Sequence, residues 1–346
     1  MKSARISHVW MLCFAFALMG QIAHAQSAPS QFVVSGKAAD KIQDFTTINL
    51  ATAERIVEGC VEAVTAHGGG VHTIIVLDND GNRVYMDRMD GQGYLNIITA
   101  EMKARTALAT RQPSKASMNR VSRDPYDEPY EVQLGLYPVA GGLPIVVNNQ
   151  MIGVVGAGGY RPNPPVWSDE ICVHTALTKV IGSSVPPLIE DVEPAPNPNA
   201  GKAPTPKFAA AAPPKPSVPA EFVIPNKSAA NVFDGDQISL ATAKKLARAC
   251  RDFAASKGDT ATLYVLDSAG EMVHMERMDG ETSLDNRTAL MKAQTSLRLR
   301  EPTSIRGTQL KNNPLAGVPR NIDAFNFYLI PGGIPIVVDG QMIGAV

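Results

Sequence analysis

Gly141-Gly-Leu-Pro-Ile-Val-Val147 is written a second time in this chain, as Gly332-Gly-Ile-Pro-Ile-Val-Val338. The repetition extends in both directions. Leu50-Ala-Thr-Ala53 recurs as Leu240-Ala-Thr-Ala243, and Arg88-Met-Asp-Gly91 as Arg277-Met-Asp-Gly280. Gln150-Met-Ile-Gly153 recurs as Gln341-Met-Ile-Gly344. The offset stays between 189 and 191 residues. A period this long marks a duplicated domain, not a solenoid.

Between the copies, residues 186–225 hold 12 of the 26 prolines. Proline removes backbone donors and favours extended conformations, so this stretch reads as a semi-rigid linker. The expected organisation is a first domain over 45–182, a linker over 186–231 and a second domain over 232–346. The second copy reads as C-terminally incomplete, because it reaches Val346 inside its closing strand.

Each copy spells the same elements. Asn49 and Ser239 are good helix N-caps. After them Ala53, Ile56, Val57, Cys60 and Val64 recur at helical spacing, as do Ala243, Leu246, Ala247, Cys250 and Ala254. This places Cys60 and Cys250 on buried helix faces as small core residues. Thr73–Leu77 and Thr262–Leu266 are β-branched and apolar and read as strands, followed by tight turns at Asp80-Gly81 and Ala269-Gly270. Strands are expected at Arg83–Arg88 and Glu271–Arg277, and helices at Thr99–Thr110 and Thr288–Leu299. Late strands follow at Pro144–Val147 and Pro335–Val338, with Met151–Val155 closing the sheet. Gly156-Ala-Gly-Gly159 reads as a turn. A last helix over Ser168–Val180 has Ser168 as its cap and Asp169 and Glu170 in the favourable first turn.

The N-terminus is an address. Lys2 and Arg5 precede the apolar run Val9–Met19 and the small-x-small triplet Ala23-His24-Ala25. This is the layout of a cleavable secretory signal over residues 1–25. The apolar run is shorter than the roughly 20 residues a membrane span needs. Cleavage would remove two of the 32 basic residues and none of the 33 acids. The expected mature protein is soluble, periplasmic or secreted, and has no membrane span. It keeps Cys60, Cys172 and Cys250, an odd number, so one thiol is left over in an oxidising compartment. The near balance of charge gives no basic field for nucleic acid.

The order of these motifs resembles the GlcG/HbpS family of haem-binding proteins. The resemblance is carried by the Leu-x-x-Ala helix start, the Arg-Met-Asp-Gly strand end, and Met102-Lys103-Ala104 with its copy Met291-Lys292-Ala293. The Gly-Gly-x-Pro-Ile strand, Met-Ile-Gly-Val-Val-Gly, and Asp169-Glu-Ile-Cys172 complete it. It implies an α/β (α+β) fold: a three-layer, profilin-like domain with an antiparallel five-stranded sheet, here duplicated. It also implies haem as cofactor, pairing of domain 1 with domain 2, and a homo-oligomer.

Haem iron needs an axial ligand such as His, Tyr, Met or Cys. Tyr85 and His274 occupy matching positions on the second strand of each copy and are the candidate iron ligands. The alternative makes them ordinary half-exposed strand residues. Arg88 and Asp90, with their copies Arg277 and Asp279, are candidate ligand-binding residues, an arginine being suited to hold a carboxylate in paired hydrogen bonds. Their alternative is structural: the aspartate makes the turn and the arginine pairs with a nearby acid. Lys103 and Lys292 could meet an anionic ligand or lie on a solvated helix face. No His-Glu-x-x-His, Cys-x-x-Cys or Gly-x-Ser-x-Gly motif occurs, so no zinc-protease, thioredoxin-type or hydrolase-elbow site is supported. Three functions fit these residues: an exported binder of haem or a related small ligand; a small-molecule enzyme, or an accessory subunit of one, using the Arg-Met-Asp-Gly corner; and an oligomeric scaffold. A lone first domain is expected to fold and to self-associate.

Overall fold

A computed structural model describes residues 31–36, 46–68, 70–159, 167–182, 185, 187–193, 219, 221–223, 237–312 and 327–346. The signal segment and most of the linker lie outside the described residues. The first repeat runs α1 (Leu50–His67), β1 (Thr73–Leu77), β2 (Arg83–Arg88), α2 (Leu95–Thr110), α3 (Ser114–Arg123) and α4 (Glu128–Gln133). It continues with β3 (Gly142–Val147), β4 (Gln150–Gly158) and α5 (Asp169–Ile181). The second repeat runs α6 (Leu240–Ser256), β5 (Thr262–Asp267), β6 (Met272–Arg277), α7 (Ser283–Leu299), α8 (Thr303–Asn312), β7 (Pro335–Val338) and β8 (Gln341–Ala345).

The strands form one sheet of eight, in the order β3-β4-β1-β2-β6-β5-β8-β7. Each described pairing is antiparallel. The class is the expected three-layer α/β arrangement, but the strand count is corrected. Each repeat contributes four described strands instead of five, and β2 pairs with β6 of the other repeat. At this seam Tyr85 faces Glu276, Met86 faces Met275 and Asp87 faces His274.

Local chemistry accounts for the elements. The Asn49 side chain accepts from the Thr52 amide at the start of α1, and Ser239 does the same from Thr242 in α6. The left-handed residues Asn148 and Asn149 turn β3 into β4, and Asp339-Gly340 turn β7 into β8. The Gly156-Ala-Gly-Gly159 turn is corrected: through Gly158 the chain is strand. Its glycines serve packing, because a Cβ on Gly156 would land on the Ala100 carbonyl and one on Gly142 on that of Lys103. Helix α2 can therefore lie against backbone.

One side of the first repeat is covered by α1 and α5, enclosing Ile56, Val57, Ile74, Leu143, Ile145 and Leu177. The other side is covered by α2. There Ile75, Leu77 and Met86 share a single core with Tyr264, Leu266 and Met275 of the second repeat. The two copies thus have a joint interior.

The cysteines also need correction. Cys60 is buried, but as half of a disulfide with Cys172, which ties α1 to α5 (Cα–Cα 5.0 Å). Cys250, its counterpart, is exposed and free. A crosslink across 112 residues restricts the unfolded chain, and such bonds typically contribute about 2–4 kcal/mol. We expect the Cys60→Ser/Cys172→Ser double variant to lose stability of that order in urea unfolding, while Cys250→Ser leaves the urea midpoint unchanged.

Candidate functional site

The seam between β2 and β6 gathers most of the residues singled out by sequence. Arg88 donates to Asp267 of the other repeat (2.6 Å), and Arg277 donates to Asp78 (2.7 Å). Asp90 accepts from the Leu240 amide (2.7 Å), and Asp279 from the Leu50 amide (2.8 Å). Each aspartate therefore caps the first turn of the other repeat's first helix, whose amides have no intrahelical acceptor. The Asp90 and Asp279 carboxyls titrate above their ordinary value because burial outweighs the amide and arginine beside them. Four of the six candidate ligand-binding residues thus hold the repeats together.

At the centre the symmetry breaks. His274 Nδ1 lies 2.7 Å from Asp87 Oδ1 and 3.0 Å from the Met86 carbonyl oxygen. The other Asp87 oxygen accepts from Lys244 (3.0 Å), which also donates to Glu58 (3.1 Å). Tyr85 meets the His274 ring edge-on, with 5.2 Å between centroids, and the Lys244 ammonium stands 5.6 Å from the Tyr85 ring centre. Burial raises the Asp87 carboxyl, but the hydrogen bond and charge of His274 and the Lys244 ammonium overcome it, so the net shift is downward. Burial, reinforced by Asp87, Glu54, Glu58 and Glu276, pushes the Tyr85 phenol far up.

Tyr85 and His274 are both about 1 % exposed, not half-exposed. Neither fits as a haem ligand here. The phenol is held neutral, and the imidazole is enclosed with one nitrogen engaged by Asp87.

Beside this cluster opens a cleft of about 570 Å³, between α1, the end of β2 and the start of α6. Its walls include Val61, Val71, Met89, Leu240 and Ala241, with the carboxylates of Glu58, Glu62, Asp87 and Asp90 and the Lys244 ammonium as polar groups, so the predicted Asp90 lines it. Such a volume suits a small ligand. The counterpart of Val61 is Arg251, which bridges Glu276 (2.8 Å) and Glu54 (3.2 Å).

The two lysines lie elsewhere, midway along α2 and α7. Lys103 is buried and donates to Asp169 (2.7 Å) and to the Ala157 carbonyl (3.1 Å), with His72 Nε2 3.2 Å from the same carboxylate. It joins α2 to α5. Burial raises Asp169, but His72 and Lys103 hold it below its ordinary value. Lys292 is half-buried beside Gly332. Sequence reasoning missed Asp87, Glu58 and Lys244. The signal was present in the charge inversion between copies, where Glu54 and Glu58 correspond to Lys244 and Arg248.

The structure is thus a duplicated α/β domain fused through its sheet, with a cleft beside the seam. The chain belongs to the HbpS-like family, described as haem-degrading protein HbpS-like, which matches residues 48–178 and 238–346. It is 31 % identical over 142 residues to an uncharacterized 15.0 kDa protein of Citrobacter freundii, covering 40 % of this chain and 95 % of that protein. Similar solved structures include Klebsiella pneumoniae ORFY (25 % identity, 41 % of this chain and 94 % of that one, TM-score 0.35). HbpS is another (27 % identity, 40 % and 93 %, TM-score 0.35). A PduOC–haem complex is a third (19 % identity, 40 % and 97 %, TM-score 0.34).

Breaking one side of a buried ion pair leaves an uncompensated charge and costs about 3–5 kcal/mol. Arg88→Ala is expected to lower urea-measured stability by that amount. Acid should act through Asp87 and Asp169. A carboxyl with a depressed folded value contributes stability that is complete above its ordinary value of 3.8 and is lost as pH falls through the depressed value. Asp90 and Asp279 act with the opposite sign. Asp87→Asn should therefore be less stable than the parent at pH 7 and lose less on acidification, as read by urea midpoints across a pH series.

Proposed function

We propose that this chain is an exported protein that binds haem or a related small ligand in the cleft between its repeats. The observation that carries the reading is membership of the HbpS-like family over both repeats. Export is supported by the N-terminal signal pattern and by the Cys60–Cys172 disulfide, a bond favoured in oxidising compartments. Assembly into a homo-oligomer belongs to the same proposal.

Bound haem would supply iron chemistry. Of the residue types that ligate haem iron, Met89 lines the cleft, whereas Tyr85 and His274 are closed off behind it. The apolar walls from Val61, Val71 and Leu240 suit a flat macrocycle, and Lys244, already paired with Asp87 and Glu58, is the cation among the lining residues.

Titration of haemin into the purified mature protein, followed by the Soret band, tests this. A saturable shift is expected, retained in Tyr85→Phe and weakened at least about tenfold in Met89→Ala, roughly 1.4 kcal/mol of binding. No saturable shift beyond that of an unrelated control protein would overturn the haem reading. An unchanged titration in Met89→Ala would overturn the cleft assignment.

A further inference from the structure

A second opening lies across the seam from the cleft, on the face of the sheet covered by α2 and α7. It is a pocket of about 190 Å³ between the β1–β2 turn and these two helices. Arg83 lines it from β2, Arg105 from α2 and Arg287 from α7. Ser283, Asn286, Arg287 and Leu290 line it at the i, i+3, i+4 and i+7 spacing that puts them on one face of α7. No carboxylate is among the described residues lining it, whereas the cleft carries four and a single ammonium.

The lining is braced from within. One Glu101 oxygen accepts from Arg83 (2.9 and 2.6 Å) and the other from Arg105 (3.0 and 2.6 Å). The Tyr264 phenol donates to Asn286 Oδ1 (2.5 Å), and Asn286 Nδ2 donates to the Arg83 carbonyl (2.9 Å). A guanidinium carries five N–H donors, so Glu101 leaves donors unspent on both arginines. Among the described residues no hydrogen bond or ion pair engages Arg287. Three like charges brought together repel one another, and one carboxylate offsets only part of this. An anion in the pocket relieves the rest.

The duplication shows that this chemistry is not a property of the fold. At the same offset, Arg83, Arg105 and Arg287 correspond to Met272, Gln294 and Ile98, and Ser283 and Asn286 to Tyr94 and Ile97. The equivalent ground across the pseudo-dyad is therefore mostly apolar. Divergence of the repeats has gathered the cations at one of two otherwise matching places.

We propose that this pocket binds the phosphoryl group of a small anion, either free phosphate or a compact phosphate ester. A carboxylate is served by one guanidinium fork, whereas a phosphoryl group offers three acceptor oxygens to the three arginines. The volume is below the roughly 300–1,000 Å³ of pockets for drug-sized ligands, so any organic remainder is short. The site is separate from the cleft and stands whether or not haem binds there.

Calorimetric titration of the complete mature chain with inorganic phosphate, and separately with methyl phosphate, tests this. Saturable binding at one site per chain is expected, weakened at least about tenfold in Arg287→Gln and in Arg105→Gln. Arg287→Gln removes no internal contact, so its urea midpoint should match the parent's, which separates lost binding from lost folding. Arg55→Gln, at an exposed arginine of α1, should leave the affinity unchanged. Tighter binding of inorganic phosphate would assign the free ion, and tighter binding of methyl phosphate an ester. No saturable binding of either, or parental affinity in both pocket variants, would overturn the proposal. So would tighter binding of succinate than of both phosphates, which would make the pocket a dicarboxylate site.

Discussion

Everything in this molecule hangs on the antiparallel pairing of β2 with β6. An exposed strand edge presents unpaired amides and carbonyls that recruit another edge. Here each repeat satisfies the other's central edge, and the sheet runs through the seam unbroken. Once β2 and β6 are in register, Met86 and Met275 close a shared core on one side. On the other side Asp87, His274 and Lys244 are forced together out of water. Buried charges are tolerated only when paired, and each described member of that cluster has a partner of opposite charge or a hydrogen bond.

The seam is symmetric in outline and asymmetric in chemistry. The arginine–aspartate bridges and the aspartate caps occur twice, once from each side. The helices above them have diverged in charge. Glu54 and Glu58 on α1 meet Lys244, Arg248 and Arg251 on α6. Two first repeats joined in the same way would set Glu54 and Glu58 against their own kind, and two second repeats would set lysine and arginine together. Like charges held opposite one another penalise the wrong partner. The divergence therefore favours the pairing of unlike repeats.

Much of this was legible from sequence. Periodicity and caps located α1 and α6 because Asn49 and Ser239 act locally, through an amide three residues on. Strands β1 and β2 were legible because Asp80-Gly81 fixes their turn. The helices α3, α4 and α8 were not, since short polar segments such as Ser114–Arg123 carry little apolar periodicity and are placed by what they touch. For the site, the repeated Arg-Met-Asp-Gly marked the right place with the wrong job, because the partners Asp267, Asp78, Leu50 and Leu240 lie far away in sequence. Tyr85 and His274 looked half-exposed because a single strand does not reveal that another repeat will cover it. The disulfide was hidden for the same reason, as Cys172 meets Cys60 only after α5 folds back over α1.

The exchanged aspartate caps carry a consequence for how the chain comes apart. Asp90 completes the start of α6, and Asp279 completes the start of α1. Neither helix has its terminal amides fully satisfied until the other repeat is in place. Separating the repeats therefore frays both helices at once, and the loss of either removes a support from the other. Two copies of one domain, which could have melted as independent beads on a string, are instead coupled by the shared sheet and core, and these two hydrogen bonds extend that coupling to the helix starts.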